Sequence, residues 1–154
     1  MATLSLFDTF VGDICGGVHD LLGTGPTASP PDCDTLKVYL TNATPAGTET
    51  IKANIAEITN QNGYAAPIAI TNNGTNTTGT VTINGLSVQV VATGAVGPFT
   101  YVVLYNDTPT SPADPLIAWA DYGGTGLTLA DGETFDIKFN NAAVGARGTI
   151  MTIT

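Results

Sequence analysis

The sequence predicts a mainly β protein, an antiparallel β-sandwich (Ig-like or jelly-roll-like) with one N-terminal helix. About nine short runs of alternating or apolar residues recur along the chain, with turn residues between them. Charged residues make up only 11% of the chain, against a usual share of about 25%, and threonine, asparagine and glycine replace them. Helical spacing of apolar residues occurs convincingly in one segment only, near the N-terminus.

The length of 154 residues suits one domain with a self-sufficient core. We expect residues 1–35 to form the N-terminal helix and a Gly/Pro-rich loop, and residues 36–154 to form the β-sandwich domain. The loop at 23–34 contains two glycines and three prolines, which predicts an exposed, partly extended connection. Such a connection would allow the N-terminal segment to act as an arm that reaches another molecule.

A helix is predicted over residues 4–22, although Gly16 and Gly17 each weaken it by about 1 kcal/mol. Its apolar stripe comprises Phe7, Phe10, Val11, Ile14, Val18, Leu21 and Leu22. This stripe either docks on the core of its own chain or inserts into a neighbouring subunit. The candidate interaction residues are therefore Phe7, Phe10, Val11, Ile14 and Val18.

The centre of the predicted sheet is a hairpin rich in aromatic residues. Residues 99–105 are apolar at both alternating sets of positions, as expected of a strand buried on both faces. A loop with three prolines follows, and residues 116–122 form the return strand. We expect Tyr101, Val103 and Trp119 to lie in the core.

Shorter signals place the remaining elements. Strands are predicted at 36–41, 64–71, 80–83, 86–93, 127–129, 134–139 and 149–154. The Asn84-Gly85 pair predicts a tight hairpin turn, and Pro67 indicates a sheet edge or a bulge. Residues 51–59 fit either a helical turn or a short strand, and residues 72–78 are predicted to be a polar hairpin tip.

The formal net charge of −9 argues against several classes of partner. The four basic residues are scattered: Lys37, Lys52, Lys138 and Arg147. Binding a nucleic acid requires clustered cations, so neither nucleic acid nor an anionic membrane surface is an expected partner. No apolar run approaches the roughly 20 residues of a membrane-spanning helix. The first residues lack a basic region and include Asp8 and Asp13, so we expect a protein made and folded in a cytoplasm.

Few residues have the character of catalytic groups. Cys15 and Cys33 are either two free thiols or a disulfide that would contribute about 3 kcal/mol. His19 is the only histidine, four residues after Cys15, and could pair with that thiol on one helix face. The alternative is that His19 lies near the helix C-terminus, where the dipole favours its protonated form.

Four carboxylates flank the aromatic hairpin: Asp107, Asp114, Asp121 and Asp131. Two of them could act as a glycosidase pair or help to bind Ca²⁺, but each has a local explanation as a turn residue or a residue before proline. No phosphate loop, nucleophile elbow or metalloprotease motif is present. We therefore expect no enzymatic activity, no catalytic or metal-binding residues and no cofactor.

Several segments together resemble small virion structural proteins of tailed bacteriophages. Residues 10–21 (Phe-Val-Gly-Asp-Ile-Cys-Gly-Gly-Val-His-Asp-Leu) and 34–42 are similar to the start of such proteins, and 55–64 follow the same pattern. The clearest likeness lies in the segments 97–108, 115–123 and 129–135. The likeness covers most of the chain, although the loop at 23–33 is longer here than in the family pattern.

The resemblance implies a non-enzymatic virion protein. We expect a capsid decoration (cement) protein on the head exterior, made in the host cytoplasm. Its expected partners are further copies of itself, most simply in a homotrimer, and the major capsid protein. A net charge of −9 is ill-suited to lining DNA and compatible with an outer surface. The alternatives are a tail- or fibre-associated, host-binding module and, last, a carbohydrate-binding domain that uses Trp119 and the tyrosines.

Overall fold

The structure is a computed structural model that describes residues 3–22, 27–28 and 32–154, with only the backbone of residues 27–28 described. Among the described residues, the secondary structure is mainly β, with 47% strand and 6% helix. The strand ladders are antiparallel, and one short helix lies near the N-terminus. The predicted fold class, mainly β with an antiparallel sandwich and an N-terminal helix, is therefore confirmed.

The described residues contain thirteen strands, one α-helix and one 3₁₀ helix. In chain order they are β1 (Leu4–Leu6), α1 (Phe10–Cys15), β2 (Thr27–Ala28), β3 (Leu36–Thr41), η1 (Lys52–Asn54), β4 (Ile68–Ile70), β5 (Asn72–Thr77), β6 (Thr80–Leu86), β7 (Val88–Val91), β8 (Val96–Phe99), β9 (Tyr101–Asn106), β10 (Leu116–Asp121), β11 (Leu127–Leu129), β12 (Thr134–Ile137) and β13 (Arg147–Ile153).

Two main sheets face each other. The first has the order β1-β10-β9-β3-β4, and the second has the order β13-β6-β5-β2, with the pairs β12-β7 and β11-β8 alongside. Strand β9 lies in the middle of the first sheet and is buried on both faces, as predicted. Because side chains alternate along a strand, Val102 and Leu104 enter the core between the sheets. Val103 and Tyr105 enter a second core on the opposite face.

The second core is covered by irregular chain rather than by another sheet. Ile55, just after η1, packs with Tyr39 and Tyr105, whose rings lie 5.9 Å apart. The ammonium of Lys52 sits 5.3 Å from the Tyr39 ring centroid and 5.7 Å from that of Tyr105. The segment predicted to be either a helical turn or a short strand is thus a single 3₁₀ turn followed by irregular chain, and it closes the outer face of the sheet.

Strands β12 and β13 form one interrupted edge, here called the β12–β13 edge. Ile137 pairs with Val88 and Arg147 pairs with Leu86, so the register against β6 and β7 continues across the break. Residues 138–146 are an excursion between the two halves. Within the described residues, β13 pairs with β6 on one side only. The β12–β13 edge therefore has four residues in β12 and seven residues in β13.

The helix predicted over 4–22 is wrong in its extent. Only Phe10–Cys15 is helical, and Leu4–Leu6 forms an edge strand on β10. The free edge of the aromatic hairpin offers backbone hydrogen bonds to the first residues, and Gly17, at φ +75°, ends any continuation of the helix. A helix this short is stabilised by packing rather than by propensity.

The turn predicted at Asn84-Gly85 is also wrong, because both residues lie inside strand β6. A Cβ on Gly85 would lie 2.6 Å from Ile70 Cγ2 and 2.9 Å from Ile150 Cδ1, so glycine is required there by close packing. The hairpin turn falls instead at Thr78-Gly79, where both φ angles are positive. The predicted polar tip at 72–78 is consequently mostly strand β5.

The remaining predictions are partly met. Strand β3 has the predicted bounds. Pro67 was predicted to mark a sheet edge or a bulge, and it directly precedes β4, an outer strand of the first sheet. The strand β8 was not predicted. Val103 is fully buried, whereas Tyr101 and Trp119 are only partly buried. Most of the predicted loop at 23–34 lies outside the described residues.

Candidate functional site

A cleft of about 790 Å³ opens between the two main sheets and is hereafter called the cleft. Its floor contains Val38, Val102 and Leu104 from the first sheet and Ile137 and Ile150 from the second. Each of these side chains is 9% exposed or less, so the cleft reaches down to the sandwich core. The volume lies within the range of about 300–1,000 Å³ that is typical of ligand pockets. The cleft is therefore the principal candidate binding site.

Both strand edges on this side border the cleft. Thr149, Ile150, Met151 and Thr152 all line it. The register of β13 against β6 shifts between Thr149 and Met151, which marks a β-bulge that interrupts the alternation of side chains at Ile150. Within the described residues, the other side of β13 pairs with no strand. On the other side the boundary is Thr3 with Leu4, the start of β1. The cleft thus lies between the outermost strands of the two sheets.

The polar groups at the cleft are largely neutral. Lys138 Nζ lies 3.0 Å from Asp136 Oδ2, which joins the two charges of the lining into one ion pair. Hydrogen bonds from Gln89 and then from Lys138 hold the pKa of Asp136 below its usual range. Asn140 and Asn141 add amides from the excursion at 138–146. An apolar floor with a neutral polar rim can bind an apolar or amphipathic group.

A separate buried polar network ties the N-terminal segment to β9. Asn106, at the end of that strand, donates from Nδ2 to Asp34 Oδ2 at 2.6 Å and lies 3.1 Å from His19 Nδ1. Asp34 also accepts from the backbone N–H of Asp20 at 2.7 Å. Asn106 has no exposed surface, and His19 is 6% exposed. These contacts hold residues 19–20 against the sheet.

His19 is neutral in this arrangement. Because Asn106 Nδ2 is a donor, His19 Nδ1 must accept, which leaves the proton on Nε2. Within the described residues Nε2 has no hydrogen-bond partner. Burial lowers the pKa of His19, and the nearby charges of Asp13 and Asp34 oppose this only in part. The predicted helix C-terminal position that favours the protonated form is wrong, because α1 ends at Cys15 and the side chain is buried.

Asn72 provides the second anchor of the same region. Its Oδ1 accepts from the backbone N–H of Leu36 at 3.1 Å, and its Nδ2 donates to the Asp34 carbonyl at 2.9 Å. Cys33 is buried beside it, and burial raises the pKa of that thiol. Cys15 is exposed and both cysteines are free, so the alternative of a disulfide is not realised. Because α1 ends at Cys15, His19 does not lie on the same helix as that thiol.

The five predicted interaction residues have different surroundings. Phe7 and Phe10 are each 1% exposed and pack into the core of their own chain. Ile14 and Val18 are partly buried, and only Val11, at 61% exposed, has a side chain largely open to solvent. The buried side chains of residues 3–22 thus pack against the sandwich of their own chain. Both the role of these residues towards a partner and the domain boundary at residue 35 stay predictions.

Two of the four carboxylates flanking the aromatic hairpin, Asp107 and Asp121, have structural partners. Asp107 forms an ion pair with Lys37 at 2.6 Å and accepts from the Tyr105 hydroxyl at 3.2 Å. Asp121 accepts from the N–H of Gly123, and Asp114 has φ +50° in the proline-rich loop. In the described part of the chain, no three His, Cys, Asp or Glu side chains are placed to hold a metal ion.

The basic side chains are also engaged. Lys37, Lys52 and Lys138 are in ion pairs with Asp107, Glu57 and Asp136, respectively. Arg147 donates a short hydrogen bond to Asn73 Oδ1. Each of the four basic side chains therefore has a neighbour within the chain, and the expectation about nucleic acid stays a prediction.

Sequence reasoning missed both the cleft and the buried network. The cleft depends on which strands become the outer ones, and no local pattern specifies that. Asn72 and Asn106 have no exposed surface, yet their residue type alone predicts turns, because asparagine favours turns. A usable signal for Asn106 was its place at the end of a strand that is apolar on both faces, where a polar side chain that is buried must find partners.

Comparison with protein-family models, with curated proteins and with solved structures found no match. Among the described residues, no helix is both long and apolar enough to cross a membrane.

Proposed function

We propose that the protein is a non-enzymatic structural protein of a tailed-bacteriophage virion that acts as a decoration protein on the capsid exterior. The observation that carries the proposal is the cleft, an apolar opening of about 790 Å³ bordered by two outer strands. A binding surface of this kind suits a protein whose task is to attach to other proteins, since exposed apolar surface and strand edges mark interaction sites.

The charge and composition support an exterior position. Thirteen carboxylates stand against four basic residues, and each basic side chain is already engaged by a neighbour. A surface so acidic is repelled by packaged DNA and is unsuited to the inside of a capsid. The resemblance to tailed-phage virion proteins over most of the chain supports the same class.

The proposal includes a homo-oligomer, most simply a trimer, seated on the major capsid protein. Repeated contacts between identical chains favour closed symmetry. Few charges on the surface favour association, while the net charge of −9 opposes it. A capsid lattice supplies many equivalent positions, so a decoration protein is expected in high copy.

The copy number in purified particles of the encoding phage tests this proposal. Quantitative mass spectrometry against a labelled standard of this chain should find a number on the order of hundreds, in ratio to the major capsid protein, as symmetric occupation of a shell requires. About a dozen copies or fewer would overturn the capsid position and favour the tail-associated alternative. Failure to find the chain in particles would overturn the virion role altogether.

A binding experiment gives the matched control. Purified protein should co-sediment with capsids that lack it and should saturate at a fixed ratio to the major capsid protein. The same capsids already carrying the protein should bind no more. A protein that sediments as a monomer and ignores bare capsids would contradict the proposed attachment.

A further inference from the structure

We infer that the cleft is a strand-acceptor site, which takes an extended segment of a partner protein beside β13 with alternate apolar side chains in the cleft. This inference deepens the proposed function, on which it rests for the existence of a partner, by naming the attachment surface and the chemistry of what it holds.

The first support is the backbone of the β12–β13 edge, which pairs with no further strand within the described residues. Thr149 to Thr152 all line the cleft, so the outer side of β13 borders the space that a partner would enter. An exposed strand edge is a template for pairing with another chain. Adding a strand there extends the ladder that β13 already makes with β6.

The second support is the length and character of this edge. Natural edges are protected by lysine, proline, short length or a β-bulge, and of these β13 has a bulge between Thr149 and Met151. Residues 149–153 of β13 carry no charge and no proline, and the strand has seven residues. At about 3.3 Å per residue, this is enough for a ladder of several hydrogen bonds. Lys138 and Arg147 lie outside this stretch and are engaged by Asp136 and Asn73.

The third support is the apolar floor beside the edge. A strand added to β13 would place every second side chain towards Val102, Leu104 and Ile137, which form the floor. The other side chains would face solvent. The expected partner segment therefore alternates apolar with polar residues. Burial of its apolar side chains in the cleft offsets the conformational entropy that the segment loses when it becomes a strand.

Charge distinguishes between two possible occupants of the cleft, a strand from a second copy of this chain and a strand from a different protein. The whole chain carries −9, and Asp121 is exposed between two cleft-lining residues, Ala120 and Tyr122. A second copy would bring a further −9 to the same site, and like charges oppose close association. Charge complementarity thus commits the site to a different protein, whose strand is flanked by lysine or arginine.

The experiment is a selection from random peptides, which works before any partner protein has been identified. A random library of peptides of about twelve residues, long enough to span β13, is displayed on yeast and sorted on the full-length protein. The enriched peptides should alternate apolar and polar residues and carry lysine or arginine on either side of the alternating stretch. No enrichment, or enrichment of peptides without alternation, would overturn the inference.

Variants locate the binding site. Ala120→Leu fills the cleft, and Thr152→Lys adds a cation at its exposed margin that repels basic flanks. Each should weaken binding of a selected peptide by about tenfold or more. Ala130→Leu, an exposed alanine outside the cleft, is the matched control and should leave affinity unchanged. If Ala120→Leu does not fold, the location of the site is tested by Thr152→Lys alone. Thr152 is exposed, so this substitution should leave the fold intact.

Hydrogen exchange separates a strand from other occupants. A bound peptide should slow exchange of β13 amides between residues 149 and 153. Peptides that bind equally well to both cleft variants, or that leave these amides unprotected, would contradict a strand-acceptor site. Dodecanoate binding that is lost in Ala120→Leu, with no peptide selected, would assign the cleft to an amphiphile instead. None of these results uses a virion, so they stand apart from the copy-number test.

Discussion

Asn106, Asp34 and His19 together do more to position the N-terminal segment than their residue types suggest. Asn106 contacts both Asp34 and His19, and all three side chains are buried. In a low-dielectric interior such contacts are strong when satisfied and costly when broken. The neutral form of His19 is required here, because a proton on Nδ1 would oppose the amide N–H of Asn106.

His19 therefore makes stability depend on pH. The pKa of His19 in the folded protein is lowered from its ordinary value of 6.5. Below pH 6.5 the unfolded chain therefore binds more protons than the folded chain, so the free energy of unfolding falls as the pH falls. Above pH 6.5 the stability contributed by the neutral histidine is fully present. His19→Asn, whose amide oxygen replaces Nδ1 as acceptor, should flatten the dependence between neutral pH and the folded pKa. The wild-type slope should be at most about 1.4 kcal/mol per pH unit.

Urea midpoints at several pH values check this prediction, with Asp13 and Asp34 left in place as the neighbouring charges. An unchanged slope in His19→Asn would assign the pH dependence to the carboxylates rather than to the histidine.

Phe7 and Val11 form a matched pair on the predicted interaction stripe. Phe7 is 1% exposed and lies 4.7 Å, centroid to centroid, from the Trp119 ring. Phe7→Ala should lower the free energy of unfolding by about 3–5 kcal/mol. Val11 is 61% exposed, so Val11→Ala should change it by less than about 0.5 kcal/mol. Chemical denaturation measures both, and a Phe7→Ala protein of wild-type stability would place that ring in an interface with another chain.

At the scale of elements, the N-terminal segment behaves as part of the sheet. Strand β1 extends the first sheet through β10, and the Phe7 N–H donates to the Ile117 carbonyl at 3.1 Å. The chain then turns into α1, whose first residue, Phe10, is buried in the sandwich core. The path from strand to helix therefore supplies both an edge and part of the core.

Removing residues 1–22 tests that description. We expect the truncated chain to lose cooperative thermal unfolding, because β1, two buried phenylalanines and His19 are removed together. Circular dichroism and one-dimensional NMR provide the measurement. A folded, monomeric truncated domain that no longer binds capsids would instead support the arm interpretation.

Gly85 and Gly12 test the two ways in which the chain uses glycine inside elements. Gly85→Ala would crowd the ends of Ile70 and Ile150, and overpacking should destabilise the protein by about 1–3 kcal/mol. Gly12, in α1, has no atom within 4 Å of an added Cβ. Gly12→Ala should stabilise by up to about 1 kcal/mol. A stabilising Gly85→Ala would contradict the packing account of the missing turn.

At the scale of the whole molecule, the sequence patterns predicted those features that depend on local alternation. Strand β9 was recognisable because both its faces are apolar, and β3 because its alternation is uninterrupted. The Asn84-Gly85 signal failed because packing against Ile70 and Ile150 outweighs a local turn preference. The cleft was not predictable, since it follows from the order of strands in two sheets and from contacts far apart in sequence.

The central claim is that the protein attaches to a capsid by accepting a strand in the cleft. Electron cryomicroscopy of virions in which the chain is proposed to occur tests it most directly. We expect this chain on the outside of the head, with continuous density for an extended segment of a neighbouring protein running beside β13. Density for the chain with the cleft open to solvent and no strand beside β13 would contradict the claim.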